Sequence, residues 1–131
     1  MQLRKLLSVA TLAVLVQAPA IAADKHGHDH DHKSLYGGVV AEAADINFEL
    51  VAKSDSLTLY VSDHGKPVAS SGAKASGTVF AGGEKTPVMF EPAGDNKLIA
   101  KGSFKTGVGV RVAASVTMAG KPEAKLNFKL K

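Results

Sequence analysis

The chain has no cysteine and no tryptophan, only 5% aromatic residues, and a single arginine, Arg111, beyond its first few positions. Without cysteine there is no disulfide framework, no thiolate metal site and no cysteine nucleophile, so stability must come from packing. Of the 16 basic residues, Arg4 and Lys5 sit at the extreme N-terminus, and the remaining 14 face 12 acidic residues. The lysines are scattered and Arg111 stands alone, so no segment has the clustered charge that grips a phosphate backbone, and nucleic acid is excluded as a partner. Long hydrophobic runs are scarce as well. The one candidate, Leu6 to Val16, has about 11 residues, too few to span a hydrocarbon core of ~30 Å, so no membrane anchor is expected.

That run belongs instead to an export signal. Arg4 and Lys5 supply the positive start, the apolar run comes next, and small residues end it at Ala20-Ile21-Ala22, which predicts a signal peptide over 1–22 and a periplasmic product. No cysteine stands after the cleavage site, which excludes lipid attachment. The rest of the chain is large enough for one domain with its own core and too small for a multidomain enzyme.

Residues 23–35 are polar, charged and histidine-rich with no apolar period to bury, and are expected to form a disordered tail. Tyr36-Gly37-Gly38 opens the domain, 36–131. From there short runs rich in Val, Leu, Phe and Thr alternate with turn clusters, the pattern of an all-β fold. Strands are expected at Val39 to Glu42, Ile46 to Val51, Leu57 to Val61, Ser76 to Ala81, Thr86 to Glu91, Lys97 to Phe104, Val108 to Met118 and Glu123 to Leu130. Their period-two faces put Ile46, Phe48, Leu50, Leu57, Leu59, Val61, Val79, Val88, Phe90, Val108, Val110, Val112, Ala114, Leu126, Phe128 and Leu130 in the core. About eight such strands predict an immunoglobulin-like antiparallel β-sandwich. Met89 and Met118 lie within strands and are expected as adaptable core filler rather than a thioether copper(I) site.

The chemistry is concentrated in His26-Gly27-His28-Asp29-His30-Asp31-His32, which holds four of the five histidines. Imidazole and carboxylate ligands without sulfur suit zinc, cobalt, nickel and copper(II), so this segment is read as a divalent-metal site made by His26, His28, Asp29, His30, Asp31 and His32. Zinc is the first choice, although copper(II) generally binds such ligands more tightly. Cleavage after Ala22 is favoured. A cut after Ala23 would instead free the Asp24 amine with His26 third in line, the arrangement that encloses copper(II) or nickel(II) in a square plane. The fifth histidine lies in Ser62-Asp63-His64-Gly65-Lys66-Pro67. Asp63 and Gly65 are ordinary turn formers there, and Asp63 and His64 at the sandwich rim are also placed to supply ligands to an ion delivered by the tail.

No enzyme activity is expected. Ser70, Ser71 and Ser115 lack a nucleophile motif, and Glu42, Glu49, Glu84, Glu91 and Glu123 are dispersed along the chain. Gly82-Gly83 and Gly107-Val108-Gly109 precede no helix that would receive a phosphate, so they are read as hairpin and strand-end glycines.

A histidine-rich exported tail followed by Gly37-Gly38-Val39-Val40, Phe48-Glu49-Leu50-Val51, Leu59-Tyr60-Val61, Asp63-His64-Gly65-Lys66-Pro67-Val68 and Gly72-Ala73-Lys74-Ala75-Ser76-Gly77 resembles a small periplasmic β domain. That domain occurs as the N-terminal extension of cobalt/zinc/cadmium-type adaptor subunits of resistance-nodulation-division efflux systems and as standalone proteins. The likeness covers about Tyr36 to Met118, and this chain has Tyr36 where such sequences have His before Gly-Gly. It implies an accessory in heavy-metal efflux or resistance, a metal buffer or chaperone, with the periplasmic adaptor or pump as a partner. The reading from a different class is an immunoglobulin-like protein-interaction module whose histidines are incidental.

Overall fold

The computed structural model describes residues 33–131. The expected signal peptide and the seven-residue histidine segment lie outside the described residues. Nine strands run in order: β1 (Val39–Ala43), β2 (Ile46–Ala52), β3 (Ser56–Asp63), β4 (Lys66–Pro67), β5 (Lys74–Ala81), β6 (Glu84–Pro92), β7 (Lys97–Lys101), β8 (Arg111–Thr117) and β9 (Glu123–Lys129). There is no helix among the described residues. All strand pairings are antiparallel, so the chain forms the expected all-β sandwich.

Alternation explains the layers. In β2 and β3, Phe48 and Leu50 pair across the ladder with Val61 and Leu59, and all four are essentially inaccessible to water. Facing them from the second sheet are Val79, Val88, Phe90, Val112, Val116, Leu126 and Phe128. Both inner faces are apolar and both outer faces polar, which is what two antiparallel sheets sharing one core require. The strands run in the order β1-β2-β3-β7-β6-β5-β8-β9, with β4 hung on the end of β3. The nine-residue β6 joins the two layers: residues 84–90 pair with β5, while Glu91 and Pro92 pair with Ile99 and Leu98 of β7. Strands β1 and β9 also approach each other, leaving the sandwich nearly closed.

The short β4 was not expected, and the expected strand limits shift by one or two residues at most ends and by more in two places. β7 ends at Lys101 rather than Phe104, and β8 starts at Arg111 rather than Val108. Gly107 and Gly109 adopt positive φ and break the extended backbone, so Val108 is turned out to water at 90% exposure instead of joining the core. Phe104 leaves the ladder but stays buried, its backbone N–H donating to the Ser54 carbonyl at 2.8 Å. Met118 is core filler as expected. Met89 is 73% exposed, because Val88 and Phe90 take the inward positions on either side of it and the pleat sends Met89 outward.

Three hairpins are two-residue turns with positive φ at both central residues: Ala44-Asp45, His64-Gly65 and Gly82-Gly83. Such turns match the twist of the strands and favour Asn or Gly at the first position. Alanine there carries a left-handed cost of roughly 1 kcal/mol. Ala44→Asn is therefore expected to stabilise the domain by about 0.5–1 kcal/mol, read as a higher urea midpoint at unchanged slope; a lower midpoint would contradict the turn assignment.

Candidate metal centre

The outer face of the first sheet carries the site. Asn47, Glu49 and Val51 point outward from β2, opposite Phe48 and Leu50, and the ladder sets Glu49 beside Tyr60 and Val40 and Asn47 beside Ser62. An outward glutamate in a strand is ordinarily wet. Glu49 is only 5% exposed, because the chain crosses over it on its way into β1.

That crossing is held by the carboxylate itself. Glu49 Oε1 accepts from the Leu35 N–H at 2.6 Å, while Oε2 accepts from the Tyr36 N–H at 2.7 Å, the Gly38 N–H at 2.8 Å and the Ser34 hydroxyl at 3.0 Å. Hydrogen bonds to an ionised acceptor are the strong kind, and four of them replace the water a buried carboxylate would otherwise lose. The second glycine of Gly37-Gly38 is needed for the approach: a Cβ at Gly38 would stand 2.3 Å from the Leu50 carbonyl oxygen. The contact reaches back to Ser34, two residues before the expected start of the domain at Tyr36.

Tyr36 completes the clasp. Its ring stacks on Tyr60 with centroids 3.7 Å apart and planes 5° from parallel. Its hydroxyl oxygen accepts from Asn96 Nδ2 at 3.3 Å, and the same amide donates to the Val61 carbonyl at 3.0 Å. Asn96 is buried and so is Ser70, whose hydroxyl lies 3.3 Å from the Asp95 carbonyl oxygen and whose N–H donates to the same atom. These two polar residues fix the 94–96 turn under β3; Ser70 is a structural tie.

His64 occupies the first position of the β3–β4 turn, at φ 50°. Its Nδ1 is 2.5 Å from Asp63 Oδ1, and its side chain is 88% exposed. Asp63 was expected as a ligand alongside His64; its Oδ1 lies against the Nδ1 of the His64 ring.

The clasp and the turn share a cleft. A depression of about 260 Å³ is lined by Lys33, Leu35, Asn47, Glu49, Ser62 and His64 among others. The structure thus brings His64 and the first described residues, which follow directly on the histidine segment, to one place. Among the described residues no three His, Cys, Asp or Glu side chains gather as a metal cluster; His26, His28, Asp29, His30, Asp31 and His32 lie outside them. Glu49 and Asn96 were missed by sequence reasoning. The available signal for Glu49 was a lone acid between Phe48 and Leu50-Val51, downstream of two glycines that leave backbone N–H groups accessible.

No protein-family model matches the chain, and neither a curated protein nor a solved structure matches it. Among the described residues no helix is long and apolar enough to cross a membrane.

Glutamine at position 49 keeps the shape but offers one acceptor oxygen in place of two and turns an NH₂ toward the donors. Glu49→Gln is expected to cost about 2–3 kcal/mol and to speed hydrogen exchange at Leu35, Tyr36 and Gly38 while the β5–β8 ladder keeps its protection. Unchanged exchange at those three amides would show that the carboxylate does not hold the crossing.

Proposed function

We propose that this protein is an exported accessory that binds divalent transition metal, zinc first, as a buffer or chaperone in heavy-metal efflux or resistance. The observation that carries the reading is the density of ligands in residues 26–32: four imidazoles and two carboxylates, with no sulfur anywhere in that segment. Neutral imidazole is a good ligand for zinc, nickel, cobalt and copper(II), and such a set favours broad rather than selective uptake. The leader-like first 22 residues support a periplasmic location, and the resemblance to efflux-adaptor extensions supports the adaptor or pump as the partner to which metal passes. Copper(II) or nickel(II) in place of zinc is the variant reading, favoured if cleavage leaves His26 third.

A second reading, a protein-interaction module, draws on the outer surface of β6 and β7. Met89 is largely exposed there and borders a shallow depression with Pro92 and Ile99.

Native mass spectrometry of the protein purified after export, with zinc and with copper(II), tests the proposal beside a variant lacking residues 26–32. The full protein is expected to bind one or more ions and to lose most of them on deletion; absence of any binding to the full protein would leave the interaction module as the better reading. Because a ligating imidazole must be neutral and its ordinary pKa is about 6.5, uptake is present above that value and is expected to fall away as the pH drops below about 6. Binding that is equally tight at pH 5 and pH 7.5 would argue against imidazole ligands.

A further inference from the structure

We infer that the outer face of the second sheet docks an acidic, extended segment of a partner protein, held by a row of three cations, Lys85, Arg111 and Lys129, which the fold brings together. The inference stands apart from the metal reading and uses none of its residues.

The row follows from the register. Phe80 on β5 lies directly opposite Lys85 on β6 and Arg111 on β8, and Arg111 lies opposite Lys129 on β9. Val79, Val112 and Phe128 beside them are buried, so alternation turns Phe80 and the three cations outward. Residues far apart in the chain thus make one line across four strands, Lys85-Phe80-Arg111-Lys129, with no acidic member. In sequence the same cations look scattered, because the line runs across the strands and not along any one of them.

The charge on this line is uncompensated. Like charges directly opposite on neighbouring strands repel, and Arg111 faces Lys129 in this way. Among the described residues no carboxylate forms an ion pair with Lys85, Arg111 or Lys129; Glu84, next to Lys85 in the chain, is engaged by Lys105 at 3.2 Å. At the other end of the face Lys74 shares its row with Thr117 and Glu123, so charge is mixed there and the uncompensated row lies at one end. Two of its cations are also held in place. Lys85 Nζ stands 5.9 Å and Arg111 Cζ 5.6 Å from the centroid of the Phe80 ring, which attracts both.

Size and shape select the occupant. Three strand spacings place Lys85 and Lys129 roughly 14 Å apart. Carboxylates at three alternate positions of an extended peptide span roughly 13 Å, and the long lysine and arginine stems take up the difference. Arg111 adds a planar fork that grips a carboxylate through two N–H donors. Beside the row, Ser76, Thr78, Ala113, Ser115 and Asn127 line a shallow depression of about 350 Å³ together with Lys125, which leaves room for a main chain. Nucleic acid fits less well, since three cations neutralise few phosphates and the ring that would stack on a base is flanked by its own cations. A bilayer would need large apolar side chains where the depression has small and mostly polar ones.

The experiment titrates the full exported protein with a fluorescein-labelled peptide of alternating aspartate and serine, followed by anisotropy at about 20 mM salt, where surface charges are weakly screened. The peptide is expected to bind, and to bind about 10-fold more weakly to Arg111→Gln/Lys129→Gln. Lys53→Gln/Lys121→Gln removes the same charge from exposed turns elsewhere and is expected to change affinity by less than about twofold. Lys129→Glu gives Arg111 an opposite charge across the ladder, so it is expected to raise the urea midpoint while abolishing peptide binding, which separates loss of the site from loss of the fold. If the two double variants weaken binding equally, the peptide answers to net charge and the docking face is wrong. Binding confined to phosphatidylglycerol vesicles or to a single-stranded oligonucleotide would assign the row to another class of partner and overturn the proposal, as would absence of any binding to the peptide.

Discussion

A carboxylate taken out of water must find its hydrogen bonds inside the protein, and the way Glu49 does so governs the geometry around it. Its position on β2 is an outward one, where solvent would ordinarily satisfy it. Four donors from Ser34 to Gly38 replace the solvent, and the consequences spread from there. The chain has to cross the outer face of the sheet, Gly38 has to lack a side chain, and Tyr36 is brought flat onto Tyr60. The direction from which the N-terminal segment meets the domain is thereby set, and it is beside the β3–β4 turn.

The interior was legible because it depends on local alternation. Ile46, Phe48 and Leu50 against Leu57, Leu59 and Val61 read as two core-facing stripes, and they are buried. Alternation misleads where the backbone leaves the extended region: Val108, between two glycines of positive φ, continues the pattern on paper and is thrown into solvent. Met89 was decipherable in principle, since the inward assignments of Val88 and Phe90 already turn it outward. The clasp was not. Glu49 meets Ser34 across fifteen positions and Asn96 meets Tyr36 across sixty, and no periodicity encodes a contact that exists only after two distant segments are brought together by the sheet. The histidine segment is the opposite case, visible from composition alone.

The clasp also sets what surrounds the point where the chain enters the domain. Lys33 and Leu35 line one cleft with Glu49 and His64, and among the described residues His64 is the sole histidine. If residues 26–32 bind metal as proposed, zinc, nickel, cobalt and copper(II) all fit their ligand chemistry, so identity of the ion would depend on availability and on the partner to which it passes.

The most direct test of this account is NMR of the tyrosine rings in the folded protein. The account predicts nuclear Overhauser contacts between the Tyr36 and Tyr60 rings, which the Glu49 clasp stacks with centroids 3.7 Å apart. A folded protein in which those two rings show no contact would contradict it.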